Sequence, residues 1–288
     1  MGSSQRRDAG GRNHGKPNMD AAMVDDWFSS LPWIDRPDAN IAAYLESLNE
    51  DTPFDLRVRL QEWQSRGVVV FQDVIPHDLI DSMLNDVEYL KLHYRDFELE
   101  VELRGATKQI SEYSPEELEL SGIKFNSLQT ISKSCALLSL SREVVSFLKH
   151  VYQSPPVVMQ SLTFQKGSEQ PVHIDYPYVR CQTKLAHLAA IWIPLEDVSP
   201  QSGPLAYYLG SHRVDISGFF DWGGGSILLE SDSAKSPMDL SHYLWDRMLE
   251  KGIEPETFCP RKGDVLIWHG NLAHAGTKIH DAEKTRKS

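Results

Sequence analysis

The chain has 288 residues, 41% hydrophobic and 24% charged, a composition ordinary for a soluble globular protein and long enough for one large domain with helical additions. No apolar run approaches the roughly 20 residues that a membrane span needs, so no membrane association is expected. The net charge of -12 speaks against a broad nucleic-acid surface, which relies on clustered Lys and Arg, and leaves a small-molecule substrate as the expected partner.

The opening residues, "MGSSQRRDAGGRNHGKPNMD", are polar and Gly-rich and read as a disordered tail over 1–22. They lack the apolar stretch of a signal peptide, and Arg6 stands where a myristoylation signal wants Ser or Thr. The three cysteines, Cys135, Cys181 and Cys259, are widely spaced without a C-x-x-C pair and suit a reducing compartment, so a cytoplasmic location is expected.

From Met23 to Arg66 apolar residues repeat at three and four, as in "FDLRVRLQEWQSRG", and predict helices stopped by Gly67. "VVVF" at 68–71 reads as a short buried strand. "IPHDLIDSMLNDVEYLKL" reads as an amphipathic helix with Leu79, Ile80, Met83, Leu84, Val87 and Leu90 on one face. Two more helices are expected within 127–150, and strand-like runs follow in "PVVMQSLTFQKG", "HLAAIWIPLEDV", "GPLAYYLGSH" and "GDVLIWHGNLAHAG".

Helices first and short antiparallel strands after them predict an α+β protein with a barrel or sandwich core. The expected layout is a tail at 1–22 and a single domain at 23–288, helical over 23–150, with its β core over 151–288. A long insertion at 213–260, with the helix-like "LSHYLWDRMLEKG", interrupts the strands and is expected to cover a site.

Within "QPVHIDYPYV", His173 and Asp175 are two apart, and on a strand such residues point to one face about 6 to 7 Å apart. That geometry permits a chelate, yet about one chance H-x-D is expected in a chain with this many histidines. "WHGNLAHAG" adds His274 about a hundred residues on, and two histidines with one carboxylate make a facial triad suited to Fe(II), leaving positions for a co-substrate and O2. A closed structural zinc site would want four protein ligands. Arg286 offers a planar fork that pairs bidentately with a carboxylate, such as the far end of an iron-chelated 2-oxoacid. His269 competes with His274 from the same stretch. His187, His212, His242 and His280 have no partner at ligand spacing and read as structural.

The sequence from about Leu60 to Ser288 resembles the phytanoyl-CoA dioxygenase family of Fe(II)- and 2-oxoglutarate-dependent oxygenases. The resemblance is carried by "WQSRGVVVFQDVIPHDLI", "HID", "HLAAIWIPLEDVSPQSGPLAYYLGSH" and "GDVLIWHGNLAHAG". It implies a double-stranded β-helix, a jelly-roll core with flanking helices. It also implies His173, Asp175 and His274 as iron ligands and Arg286 as the partner of the 2-oxoglutarate C5 carboxylate. Gln160, in "MQS", matches a family position that helps hold the co-substrate. The family pattern and the shorter spacing to Arg286 favour His274 over His269.

The resemblance further implies oxidative decarboxylation of 2-oxoglutarate to succinate and CO2, coupled to hydroxylation of a C–H bond. Related halogenases replace the carboxylate ligand with a small residue, so Asp175 favours hydroxylation. Family members continue past the arginine into a last core strand, whereas this sequence ends at Ser288; it is either a fragment or carries Arg286 on an unusually short strand. Tyr178 and Trp222 are candidates for lining a substrate pocket. Two other readings fit the same residues: a jelly-roll metalloenzyme using the triad with Zn or Mn and no 2-oxoglutarate, or a non-catalytic binding protein of the same fold.

Overall fold

The computed structural model describes residues 30–179, 181, 184, 186–215, 228–229 and 233–288. The expected tail at 1–22, part of the expected insertion, and Trp222 lie outside the described residues. Among the described residues no helix is long and apolar enough to cross a membrane.

The apolar repeat at the N-terminal side folds as α1 (Ile41–Glu46) and α2 (Leu56–Arg66). Asn40 and Asp55 cap them, each side-chain oxygen accepting the N–H three residues on, from Ala43 at 3.0 Å and Val58 at 3.1 Å. α2 ends at Gly67, and β1 (Val68–Phe71) follows at once. α3 (His77–Leu92) buries Ile80, Met83, Val87 and Leu90, the face its periodicity predicts. α4 (Lys133–Ser139) and α5 (Arg142–Tyr152) are the two helices expected within 127–150.

The helical reading of 23–150 needs one correction. β2 (Glu100–Leu103), β3 (Ala106–Gln109) and β4 (Ile123–Asn126) lie within it. β2 and β3 form a hairpin whose two turn residues, Arg104 and Gly105, have φ of 53° and 82°, both left-handed as a type I′ turn requires. On β2 and β3 only Val101 is deeply buried, so the period-2 signal of the hairpin is faint among charges.

The C-terminal half supplies β5 (Leu162–Phe164), β6 (Ala189–Trp192), β7 (Leu205–Tyr207), β8 (Glu256–Phe258), β9 (Val265–His269) and β10 (His274–Gly276). The ladders run β3-β2-β4-β5, β1-β9-β6 and β10-β7-β8, antiparallel throughout. The extended residues 286–288 join the first two. Phe164 and Ser288 exchange both backbone hydrogen bonds, at 2.9 and 3.1 Å, Arg286 N–H donates to Gln165 O at 3.1 Å, and Leu195 N–H donates to Lys287 O at 2.9 Å. Arg286 therefore lies in a three-residue run hydrogen-bonded to residues 164–165 on one side and, through Lys287, to Leu195 on the other. The large sheet reads β3-β2-β4-β5, 286–288, β6-β9-β1, and β10-β7-β8 faces it, extended by a bridge from His173 to His274. The result is a double-stranded β-helix, the fold class expected.

β9 explains the layering. All five of its residues are buried, so it reads as an unbroken apolar run. Leu266 and Trp268 point into the sandwich with Trp192, Leu205 and Tyr207, while Val265 and Ile267 point outward to the helices with Trp63 and Phe147. On the other side α6 (Pro237–Lys251), the helix of the expected insertion, buries Leu240, Leu244 and Met248 against Val172, Ile174 and Tyr176. Ser236 and Asp239 close its N-terminus as a capping box behind Pro237.

Candidate metal centre

Packing of Val172, Ile174 and Tyr176 under α6 fixes the facing of the residues between them. Because side chains alternate along an extended segment, His173 and Asp175 turn the other way, into the mouth of the sandwich. His173 and His274 then exchange both backbone hydrogen bonds at 2.9 Å, which sets their rings side by side with centroids 4.2 Å apart. One ligand atom from each of His173, Asp175 and His274 lies within 4.8 Å of the others, a group able to hold a metal ion. His274 Nε2 is 3.6 Å from Asp175 Oδ1.

Backbone carbonyls settle which ring nitrogens face the centre. His173 Nδ1 lies 2.8 Å from Pro171 O, and His274 Nδ1 lies 2.9 Å from Leu272 O. A carbonyl oxygen only accepts, so each Nδ1 carries a proton, and in the neutral ring each Nε2 then presents a lone pair. Burial, then the neighbouring His274, pushes His173 down to about 4, keeping it neutral at physiological pH.

Asp175 is held from two sides. Its N–H donates to Gly270 O at 3.0 Å, and Trp268 Nε1–H donates to its Oδ2 at 2.8 Å, leaving Oδ1 toward His274. Gly270 is confined in turn: its own N–H donates to Leu188 O, and a Cβ there would meet the Leu188 side chain and carbonyl at 3.0 Å. The glycine of "WHGN" is therefore a close-approach position beneath the carboxylate.

His269 is not part of the triad. Its Nδ1 accepts the Asn271 N–H at 3.0 Å, so its proton sits on Nε2 and faces Asp35 Oδ2 at 3.2 Å. Both nitrogens are engaged, in the opposite tautomer to the two site histidines. His212 lies beside it, the rings tilted by 44° with centroids 5.1 Å apart, and is pushed down to about 3 by burial and by His269. His187 stacks on Tyr152, whereas His242 and His280 are exposed.

Arg286 is buried, 4% exposed, between the rings of Trp192 and Phe164, its guanidinium carbon 5.5 and 5.7 Å from their centroids. Its Nη1 donates to Gly203 O at 2.9 Å, and its Nε has no hydrogen-bond partner among the described residues. Burial lowers it to about 10, still a cation at neutral pH. Gly203 reaches it from φ 73°, where a Cβ would strike Ile279 and Thr277 O, which accounts for the glycine of "QSGPLAYY". Trp192 and Trp268 share the inward face of the large sheet, so one apolar cluster walls both the arginine and the triad.

Tyr178 stands edge-on to His173 with centroids 6.2 Å apart, 41% exposed. Burial, then Asp175, pushes its phenol up to about 12, so it stays protonated. Gln160 is exposed on the segment leading into β5, and among the described residues no hydrogen bond ties it to the triad or to Arg286. The hydrogen bond from Trp268 and the one from His269 to Asp35 were not anticipated: alternation along β9 puts Trp268 inward, but no local pattern announces a partner for Asp35.

The family profile described as Phytanoyl-CoA dioxygenase (PhyH) matches residues 63–288. A curated relative, the Phytanoyl-CoA dioxygenase domain-containing protein 1 homolog of Caenorhabditis elegans, is 23% identical over 159 residues, 52% of this chain and 50% of that one. The chain thus matches about half the length of that relative. Among solved structures, the non-heme alpha ketoglutarate dependent carbocyclase SnoK from nogalamycin biosynthesis has a TM-score of 0.57 at 17% identity, covering 84% of this chain and 82% of its own. EctD from S. alaskensis, solved with 2-oxoglutarate and 5-hydroxyectoine, has a TM-score of 0.58 at 15% identity, covering 84% and 76%. At such identities the two structures speak to the fold, which is the jelly roll described above.

Proposed function

Because this chain belongs to the phytanoyl-CoA dioxygenase family, we propose that it is an Fe(II)- and 2-oxoglutarate-dependent dioxygenase that hydroxylates a C–H bond of a small molecule. One observation carries this reading beyond family membership. The jelly roll buries a guanidinium with an unpartnered Nε against the same apolar cluster that flanks a triad of two imidazoles, each with Nδ1 tied to a backbone carbonyl, and one carboxylate. Burying a cation without an anionic partner is costly, and a dicarboxylate co-substrate relieves that cost. A metalloenzyme that used the triad alone would leave Arg286 without a role.

His173, Asp175 and His274 would hold the iron, and Arg286 the C5 carboxylate. Gln160 is assigned to the co-substrate on the family resemblance alone, and Tyr178 to the substrate on its place beside His173. Bound at the triad, iron with 2-oxoglutarate and O2 would supply the oxidising chemistry, with succinate and CO2 as the co-substrate's products. The protein's part is to bind, orient and exclude. Pro171 O and Leu272 O fix the imidazole tautomers, Trp268 leaves one carboxylate oxygen toward the metal position, and Trp192 and Phe164 keep water from Arg286. With iron bound, a carboxylate at Asp175 would take the place that a halide would need, which favours hydroxylation. No polyanionic or membrane partner is part of this reading, and a cytoplasmic location belongs to it.

The test is anaerobic reconstitution with Fe(II), then 2-oxoglutarate and O2 with a panel of small molecules. Succinate release that rises with one of them, with oxygen incorporated into it, supports the proposal. A folded, iron-loaded protein that makes no succinate under any condition overturns it.

A further inference from the structure

We propose that Asp35 is a positioning residue for Asp175, acting through His269 and the turn at 269–271; the inference rests on the assignment of Asp175 to the metal. Asp35 lies on a 3-10 turn, Trp33–Asp35, outside the residues matched by the family profile. That turn is anchored independently: Ile34 is 1% exposed, Trp33 Nε1–H donates to His150 O at 2.9 Å, and Gln64 Nε2–H donates to Ile34 O at 3.2 Å.

The chain of contacts is short and directional. Asp35 Oδ2 accepts from His269 Nε2–H, so Nδ1 of the same ring is free to accept the Asn271 N–H. That bond, with Leu272 N–H to His269 O at 2.7 Å, closes the turn that carries Gly270. The Gly270 carbonyl then accepts from both Asp175 and Tyr176, at 3.0 and 3.3 Å. If the proton moved to Nδ1, two donors would face each other at Asn271, the turn would open, and the carbonyl beneath Asp175 would shift. Asp35 is 11% exposed at its side chain and His269 6%, so water cannot easily replace either partner.

The experiment is anaerobic Co(II) titration of the full chain, read by visible d–d absorption, in wild type, Asp35→Leu and Asp35→Asn, with thermal melts alongside. Leu removes the acceptor at similar volume, and Asn retains an oxygen that can accept from Nε2–H. The expected result is Co(II) affinity about tenfold weaker with an altered band pattern in Asp35→Leu, and affinity within about threefold of wild type in Asp35→Asn, the size typical of outer partners of metal ligands. A folded Asp35→Leu variant with wild-type affinity and spectrum overturns the inference while leaving the metal site standing. Wild-type protein that takes up no Co(II) overturns the metal assignment and this inference with it. Should Asp35→Leu fail to fold, imidazole nitrogen NMR of the wild type decides: a His269 proton on Nε2 supports the inference, and one on Nδ1 overturns it.

Discussion

The indole of Trp268 donates to Asp175 Oδ2 at 2.8 Å, from β9 to a residue on the facing sheet 93 positions earlier. The bond commits one carboxylate oxygen and leaves the other toward His274, where the proposed function would place a metal. Trp268→Phe keeps the ring and deletes the donor, and is expected to weaken Co(II) or Fe(II) binding about tenfold. A metal titration beside a thermal melt checks it, with the melt close to wild type.

His269 and His274 stand five residues apart and are predicted to fail in different ways. His274→Ala should abolish metal uptake with little loss of stability. His269→Ala leaves the Asp35 carboxylate and the Asn271 N–H without partners inside the core, and is expected to cost about 2–4 kcal/mol. Urea unfolding and a metal titration on both variants separate the two roles.

Arg286→Lys keeps a cation and loses the fork. Its expected effect is 2-oxoglutarate binding weaker by tenfold or more, about 1.4 kcal/mol or above. Metal uptake in the absence of co-substrate should be unchanged, because Arg286 bonds to Gly203 and the triad does not depend on it. Calorimetry of 2-oxoglutarate binding to the metal-loaded protein checks both statements.

His212 predicts how stability follows pH. Its folded value, about 3, lies below the ordinary 6.5, so the unfolded chain takes up the proton first. Its contribution is fully present above pH 6.5 and is lost as pH falls toward 3. Between pH 7 and pH 5 the metal-free protein should lose about 2 kcal/mol through this one group. Burial lowers His187 in the same direction. Urea midpoints at the two pH values test this, and the difference should shrink in His212→Gln.

The parts of this account that were legible in the sequence are those with a local period. Alternation placed His173 and Asp175 on one face, three-and-four spacing found α3, and the insertion's helix was visible in its own pattern. The choice of His274 over His269 rests on the family pattern and the spacing to Arg286, and in the structure the two rings hold opposite tautomers. What stayed hidden depends on distant pairings. The hairpin of β2 and β3 buries too little to show an alternation, and the pairing of Arg286 and Ser288 with β5 joins segments more than a hundred residues apart. Asp35 meets its histidine across 234 positions, and no periodicity encodes such a meeting.

The most direct test is anaerobic addition of Fe(II) and 2-oxoglutarate to the wild type and to His274→Ala and Arg286→Ala, watching for the weak visible charge-transfer band of a 2-oxoacid chelated to ferrous iron. A band is expected in wild type, none in His274→Ala, and in Arg286→Ala a band only at much higher 2-oxoglutarate. A folded, iron-loaded wild type with no band at saturating 2-oxoglutarate would contradict the assignment of this site to iron and 2-oxoglutarate.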